Sequence, residues 1–185
     1  MPDKTILFYG SSITFGTAIS TGDLHWPFLT AEKLGIDHIG LGFPASALYE
    51  HSIADHIAKK QDFDALFLEI GVNFYADSSE SIRERVEYML KTVRKAHPDK
   101  YIFCTDIFYA HPVPDFAEGM INNVRRVVSE TVPAFQDEKI IYIPGLKLMG
   151  EPRFLSEDHI HPSVAGHIEI ANNLSAALKP YIDKI

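Results

Sequence analysis

Short apolar segments alternate along this chain with longer segments in which apolar residues recur every three or four positions. The short segments are typical of buried strands, and the longer ones are typical of amphipathic helices. Because strands that alternate with helices form parallel sheets, the pattern predicts an α/β fold. The expected strands are Thr5–Tyr9, Asp37–Leu41, Ala65–Ile70, Tyr101–Ile107 and Lys139–Ile143. The expected helices are Pro27–Leu34, Ala47–Lys59, Glu80–Ala96, Phe116–Val132 and Val164–Leu178.

These elements predict one domain over residues 1–185, with helices on both faces of a doubly wound parallel sheet. Right-handed crossovers leave few topologies, and the strand order 2-1-3-4-5 is the one we expect. Gly35 is placed to end one helix in a left-handed conformation, and Ser163 is placed to cap the last helix. In such sheets ligands bind beyond the carboxyl ends of the strands, so the residues that follow each strand are the candidates for chemistry.

The segment Gly10–Thr14 (Gly-Ser-Ser-Ile-Thr) directly follows the first strand. Its small residues allow a sharp turn that exposes a hydroxyl group above the sheet, although a turn that merely caps a helix has the same composition. A phosphate-binding loop is excluded, because Gly16 is followed by Thr17 and Ala18 and not by Lys and a hydroxyl residue. The Gly-x-Ser-x-Gly elbow of α/β hydrolases is also absent from the chain.

Two further segments follow later strands. Gly40–Ala45 matches the pattern Gly-x-Gly-x-x-Ala, but it follows the second strand and Pro44 interrupts it, so we expect no nicotinamide cofactor. A loop that offers backbone N–H groups to a site fits this segment better. Asn73, in Gly-Val-Asn after the third strand, could direct an amide donor at a developing oxyanion. A turn asparagine that binds its own backbone is the alternative for Asn73.

The segment Asp158–Pro162 carries a carboxylate three residues before His161. Such a carboxylate can accept a hydrogen bond from one ring nitrogen of the histidine and leave the other nitrogen free as a base. His159 and His161 could instead bind a metal together with Asp158 or His167, but no second group of ligands accompanies them, and we expect no metal.

Composition narrows the class of function. The formal net charge is −8, with no cluster of Lys and Arg, which argues against a nucleic-acid partner. The sequence contains no signal peptide and no long apolar segment, so we expect no membrane partner and a cytoplasmic location. The single cysteine, Cys104, excludes an internal disulfide and suits a reducing compartment.

In sequence, the Ser-containing turn, the Gly-rich loop, Gly-x-Asn and Asp-x-x-His-Pro together resemble the SGNH, or GDSL-type, serine hydrolases, which have a flavodoxin-like sheet. The resemblance extends over nearly the whole chain. It implies that Ser12 is the nucleophile, His161 the general base and Asp158 the residue that orients His161. It also implies an oxyanion hole formed by the side-chain amide of Asn73 and the backbone N–H groups of Ser12 and Ala45.

Three residues depart from the family pattern. Ser11 replaces the usual Asp, which removes a charge near the site and adds a hydroxyl. Ala45 aligns with a glycine that acts through its N–H, and it can replace that glycine only if its dihedral angles are ordinary. Phe74 replaces an acidic residue, so a hydrogen bond that braces the loop is expected to be absent.

The resemblance implies a carboxylic ester hydrolase that needs no cofactor and forms an acyl-enzyme. We expect small acetyl-type esters as substrates, O-acetylated carbohydrates among them, because no amphipathic lid for long chains is visible. Alternatives are a lysophospholipase- or thioesterase-type acylhydrolase and a non-catalytic binding module on the same fold. A homo-oligomer is compatible with the sequence. The residues expected to contact substrate are Ser11, Phe43, Phe74, Tyr75 and Phe108.

Overall fold

A computed structural model describes residues 2–111 and 116–185 of the chain. Within these ranges five strands alternate with helices, as the apolar pattern predicts. The strands are β1 (Thr5–Gly10), β2 (Asp37–Gly42), β3 (Ala65–Glu69), β4 (Tyr101–Thr105) and β5 (Ile140–Ile143). The helices are α1 (Ser12–Phe15), α2 (Trp26–Leu34), α3 (His51–Lys59), α4 (Ser79–Ala96), α5 (Phe116–Thr131), α6 (Gly145–Leu148) and α7 (Val164–Leu178).

The five strands form one parallel sheet in the order β2-β1-β3-β4-β5, which confirms the topology expected from the sequence. The strand order reverses beside β1, so the carboxyl ends of β1, β2 and β3 meet at one place. Open parallel sheets bind ligands at this kind of switch point. Ser12 follows β1 there, and Asn73 follows β3.

Helices cover both faces of the sheet, and the central strands are therefore apolar on both sides. Every residue of β3 is buried. On one face Leu66 and Leu68 pack in a core with residues of α3, α4 and α5. On the other face Phe67 belongs to a second core, formed with α2 and α7 around the fully buried Trp26.

Local signals place most helix ends. Gly35 ends α2 at φ 67°, in the left-handed region that glycine tolerates, and the Ser163 hydroxyl accepts a hydrogen bond from the N–H of Gly166 at the start of α7. The main departure from the sequence prediction is α3, which begins at His51 and not at Ala47. The chain before it forms turns, in which Tyr49 adopts a φ of 58°.

Within the described ranges, no helix combines the length and the apolar character that a crossing of the bilayer requires.

Candidate active site

The turn between β1 and α1 presents Ser12 at the switch point. Gly10 is required there, because a Cβ at this position would lie 2.3 Å from Oγ1 of Thr14 and 2.5 Å from a carboxyl oxygen of Glu69. Ser11 is extended, and its hydroxyl accepts a hydrogen bond from the N–H of Ile13 at 3.1 Å, which caps α1. Ser12 is therefore the first residue of a capped helical turn.

A buried carboxyl group lies beneath this turn. Glu69, at the end of β3, is 2% exposed. One of its oxygens accepts hydrogen bonds from the N–H of Ser11 and from the hydroxyls of Ser11 and Thr14, each at 2.8 Å. Burial raises the pKa of the Glu69 carboxyl, and these hydrogen bonds act in the opposite direction. The carboxyl group thus ties the residues on either side of Ser12 to the central strand.

Ser12, His161 and Asp158 lie in one chain of hydrogen bonds. The hydroxyl oxygen of Ser12 is 2.7 Å from Nε2 of His161. Nδ1 of His161 is 2.5 Å from Oδ2 of Asp158. Because an ionised carboxylate only accepts hydrogen bonds, the ring proton lies on Nδ1, and Nε2 is left to accept the hydroxyl proton of Ser12. The structure therefore brings together the three residues that the sequence singles out.

Asp158 is fixed by several hydrogen-bond donors. Its Oδ1 accepts hydrogen bonds from the N–H groups of Ile160 and His161 at 2.9 and 2.8 Å, and from the hydroxyl of Ser156 at 2.9 Å. Partial burial alone would raise the pKa of Asp158, but the hydrogen bonds from the backbone N–H groups of His161 and Ile160, together with those from the side chains of His161 and Ser156, hold it well below its usual range. Asp158 is consequently a stable anion beside the imidazole.

The segment that carries the two residues is closed on itself. The N–H of Ser156 donates to the carbonyl of His161 at 2.8 Å, and the N–H of His159 donates to the carbonyl of Ser156 at 3.1 Å. His159 has a φ of 63°, the left-handed conformation that lets the chain turn between Asp158 and His161. The relative positions of carboxylate and imidazole are thus set locally.

On the other side of Ser12, Asn73 faces the loop that follows β2. Its Oδ1 accepts a hydrogen bond from the N–H of Ala47 at 3.1 Å, which fixes the amide plane. Within residues 2–111 and 116–185, neither Nδ2 of Asn73 nor the N–H of Ser12 or of Ala45 has an acceptor. These three donors are the ones implied for an oxyanion hole.

From the sequence we expect Ala45 to have ordinary dihedral angles, and the structure corrects this expectation. Its φ is 56°, so Ala45 occupies the left-handed region in which glycine is favoured. An alanine in this conformation carries strain of roughly 1 kcal/mol or more. The chain therefore keeps the backbone conformation of a glycine position while bearing a Cβ.

Three of the five residues expected to contact substrate have buried side chains, so the expectation is wrong for them. Ser11 is occupied by Glu69. Phe74 packs in the core against Tyr49, and Phe108 packs against Trp26. Only Phe43 and Tyr75 are exposed, at 39% and 37%. Alternating apolar residues after a strand do not reveal which side chains face inward. Glu69, which ends the buried strand β3, was not among the residues expected from the sequence.

The alternative metal site is not assembled in the described part of the chain. No group of three or more His, Cys, Asp or Glu side chains is placed there to hold an ion. His161 is engaged by Ser12 and Asp158, whereas His167 is fully buried against α2, where its Nδ1 lies 3.3 Å from the N–H of Trp26.

Comparisons with known proteins identify the family and the fold. Residues 3–179 match the sequence model of the GDSL-like lipase/acylhydrolase family. A solved structure described as a GDSL-like lipase from Bacteroides ovatus superposes with a TM-score of 0.87 at 21% identity, over 98% of this chain and 54% of that one. This chain therefore spans about half of that protein.

Two further solved structures match over nearly their whole length. An aryl esterase of M. smegmatis gives a TM-score of 0.76 at 16% identity, covering 96% of this chain and 99% of that one. A carbohydrate esterase family 3 structure from Talaromyces cellulolyticus gives 0.75 at 18% identity, covering 98% and 99%. At these identities the structures establish a shared fold. No curated protein sequence matches the chain significantly.

Proposed function

Because this chain belongs to the GDSL-like lipase/acylhydrolase family, we propose that it is a serine esterase that removes small acyl groups of the acetyl type, with O-acetylated carbohydrates as candidate substrates. The observation that carries the proposal is the continuous chain of hydrogen bonds from Ser12 through His161 to Asp158, at 2.7 and 2.5 Å. A hydroxyl, an imidazole and a buried or anchored carboxylate in this order form the constellation that activates a serine for acyl transfer.

The reaction proceeds in two steps. Nε2 of His161 accepts the hydroxyl proton of Ser12 while Oγ bonds to the ester carbonyl carbon. The tetrahedral intermediate collapses by breaking the bond to the alcohol oxygen, and the alcohol leaves with the proton from His161. Water then attacks the acyl-enzyme, giving its proton to His161, and the carboxylic acid is released as the proton returns to Ser12. Asp158 stabilises the imidazolium in both steps.

The oxyanion of each tetrahedral intermediate needs hydrogen-bond donors that are already in place. We assign this role to Nδ2 of Asn73 and the N–H groups of Ser12 and Ala45. Ala45 is kept in this assignment because its left-handed backbone costs strain but leaves its N–H without an acceptor among the described residues. The hydrogen bond from Ala47 to Oδ1 of Asn73 supports the assignment, because it leaves Nδ2 directed away from the loop as a donor. Preorganised donors of this kind contribute more than mobile water, since they do not have to reorient during the reaction.

A short acyl group is favoured over a long one by the packing around Ser12. The side chains of Ile13 and Thr14, which directly follow Ser12, are 2% and 1% exposed, and Phe74 and Phe108 are buried in the two cores of the molecule. These packed side chains support a substrate with a small acyl group. Structural similarity to an aryl esterase and a carbohydrate esterase supports small esters as the substrates to examine first.

The first experiment measures hydrolysis of p-nitrophenyl acetate by the wild type and by three variants. We expect Ser12→Ala and His161→Ala to lower turnover on the order of 10⁶-fold, to background, and Asn73→Ala to lower it ~10²–10³-fold. Ser52→Ala, at an exposed serine of α3, is the matched control and should retain activity. Wild-type turnover by Ser12→Ala would contradict the assignment.

Two additional measurements separate the alternatives. A fluorophosphonate probe should label Ser12, whereas a binding module with an intact fold would not react. Activity should survive a chelator, which would inactivate a metal hydrolase. Comparing acetyl with octanoyl esters distinguishes an acetyl-type esterase from a long-chain acylhydrolase, because a preference for octanoyl would contradict the proposed small acyl group.

A further inference from the structure

Three aromatic side chains near the switch point of the sheet are exposed. They are Phe15, Phe43 and Tyr75, here called the aromatic rim, and they are 62%, 39% and 37% exposed. Each follows one of the three strands whose carboxyl ends meet at the switch point. Single exposed apolar side chains are common on protein surfaces and need no explanation. Several large exposed aromatic side chains grouped at one place are typical of a binding surface.

Phe15 is placed next to Ser12 by helix geometry. The two residues are the ends of α1, three positions apart, and residues at this spacing share a helix face. The backbone of Phe15 lies directly against Gly42, where an added Cβ would be 2.4 Å from the N atom of Phe15. Glycine at 42 therefore allows the end of β2 to approach the backbone of Phe15 at the end of α1.

Phe43 and Tyr75 extend the rim on the side of the oxyanion donors. The N–H of Phe43 donates to the carbonyl of Gly10 at 2.9 Å, which joins the loop after β2 to the turn that carries Ser12. Tyr75 follows Asn73 by two residues, and the hydrogen bond from Ala47 to Asn73 connects these two loops. The rim is thus continuous with the candidate catalytic groups through hydrogen-bonded backbone.

The packing beneath Ser12 decides which part of a substrate can reach the rim. Because Ile13 and Thr14, the residues that directly follow Ser12, are buried, we expect a bulky group attached to the ester to lie on the outer side, over exposed side chains. In an ester with a small acyl group, the bulky part is the alcohol. The rim is therefore the surface available to the alcohol part.

We propose that the aromatic rim binds a sugar ring as the alcohol part of the substrate, with Phe15 as the main stacking residue; this rests on the proposed esterase function. A pyranose presents a face of C–H bonds that packs on an aromatic ring and keeps its hydroxyls at the edge, in water. Such one-sided contact suits rings on an open surface. An alkyl or aryl alcohol, in contrast, buries most of its apolar surface only in a pocket that encloses it on several sides.

The test compares two acetyl esters that differ only in the alcohol. Methyl β-xylopyranoside triacetate carries a pyranose, and vinyl acetate carries a two-carbon group. For Phe15→Ala we expect the ratio of kcat/KM for the sugar ester to that for vinyl acetate to fall about fivefold to tenfold, mostly through KM, as is typical of one aromatic stacking contact. Phe15→Tyr should restore the ratio and Phe15→Leu should not. Ile168→Ala, which alters an exposed apolar residue of α7, is the control.

Binding is measured separately from catalysis in the Ser12→Ala background. Saturation-transfer NMR with methyl β-xylopyranoside triacetate should show weaker binding when Phe15→Ala is added. If the wild type hydrolyses neither ester and is not labelled by fluorophosphonate, the proposed esterase function is wrong. Weaker sugar binding caused by Phe15→Ala would in that case still support the rim as a sugar site.

Several outcomes would overturn the proposal. An equal fall of kcat/KM on both esters would indicate that Phe15 acts only on the position of Ser12. A selective loss on vinyl octanoate would make the rim an acyl-chain site. A change of oligomeric state in Phe15→Ala, measured by light scattering, would make the rim an interface between copies of the chain.

Discussion

The carboxyl group of Glu69 lies under the turn that carries Ser12. It accepts hydrogen bonds from Ser11, which directly precedes Ser12, and from Thr14, which follows Ser12 by two residues. A buried carboxyl that accepts hydrogen bonds only from N–H and O–H groups constrains those groups strongly, since none has water as a substitute. Glu69 does not contact the reacting atoms in the proposed mechanism. We therefore predict that Glu69 is a positioning residue for Ser12.

Replacing Glu69 with Gln should affect both stability and turnover. The amide has one acceptor oxygen, so its NH₂ group faces a donor and leaves it unsatisfied. We expect the free energy of unfolding to fall by about 1–3 kcal/mol, and kcat on p-nitrophenyl acetate to fall roughly tenfold with little change in KM. Urea unfolding and steady-state kinetics measure the two effects.

Glu32→Gln, at an exposed position of α2, is the control for Glu69→Gln. A variant that loses stability but keeps the wild-type kcat would show that Glu69 is structural and does not position Ser12. An increase in KM with unchanged kcat would instead place Glu69 in substrate binding.

Sequence reasoning could have found Glu69 from one signal. It stands in the segment Ala-Leu-Phe-Leu-Glu-Ile, where the single carboxylate interrupts an apolar strand that is buried on both faces. A charged residue at such a position needs partners. What the sequence could not show is that those partners are Ser11 and Thr14, because they lie 58 and 55 residues away.

At the scale of elements, α2 and α7 are joined by a buried histidine. His167 of α7 is fully buried, and its Nδ1 is 3.3 Å from the N–H of Trp26, the first residue of α2. Burial lowers the pKa of His167 to about 4, and the nearby His25 and His161 contribute in the same direction. A positive charge at the start of a helix is unfavourable as well. The imidazole of His167 is therefore neutral in the folded state.

This arrangement predicts a loss of stability on mild acidification. The unfolded chain binds a proton at His167 with a pKa of 6.5, and the folded chain does so only near 4. Between these values the unfolded state carries more protons, so the free energy of unfolding decreases as the pH falls, by about 2 kcal/mol from pH 7 to 4.5 for this residue. Urea unfolding at several pH values above 4.5 measures the slope.

His167→Gln should reduce that slope, and His56→Gln at an exposed position of α3 serves as the control. Part of the slope should remain, because burial also lowers the pKa values of His25 and His38. Parallel pH profiles for the wild type and His167→Gln would contradict the assignment of the effect to His167.

The element boundaries show which signals are local. Gly35 and Ser163 end and begin helices where the sequence predicts, because each acts through its own backbone or side chain. The start of α3 was predicted four residues early, at Ala47, since an apolar period continues through the turn. The left-handed conformations of Ala45 and Tyr49, which delay the helix, belong to residue types that rarely adopt them, so nothing in the sequence indicates them.

At the scale of the whole molecule, the proposed active site depends on contacts between distant parts of the chain. Ser12 and His161 are 149 residues apart in sequence and 2.7 Å apart in space. The parallel sheet makes this predictable, because it collects the ends of all strands at one edge. The direction of individual rings such as Phe74 and Phe108 follows from three-dimensional packing and was not predictable.

Trp26 provides a probe of this long-range assembly. It is the only tryptophan, and it packs against Phe8 and Phe67 in the core next to α7. In increasing urea, we expect the change in tryptophan fluorescence and the loss of fluorophosphonate labelling of Ser12 to share one midpoint, as in a cooperative transition. Loss of labelling at clearly lower urea would show instead that the segment around His161 opens before the sheet unfolds.

The closed segment from Ser156 to His161 has a consequence for how such proteins can change over evolution. Imidazole and carboxylate are oriented by hydrogen bonds within six consecutive residues, whereas the N–H of His111 anchors the segment from outside by donating to the carbonyl of His159. The mutual orientation of His161 and Asp158 should therefore persist when distant loops change, as long as this anchor is kept. Insertions in the loops after β2 or β3 could therefore reshape specificity without dismantling the acid–base pair. A graft of the hexapeptide onto another parallel sheet would need a donor in place of the His111 N–H as well.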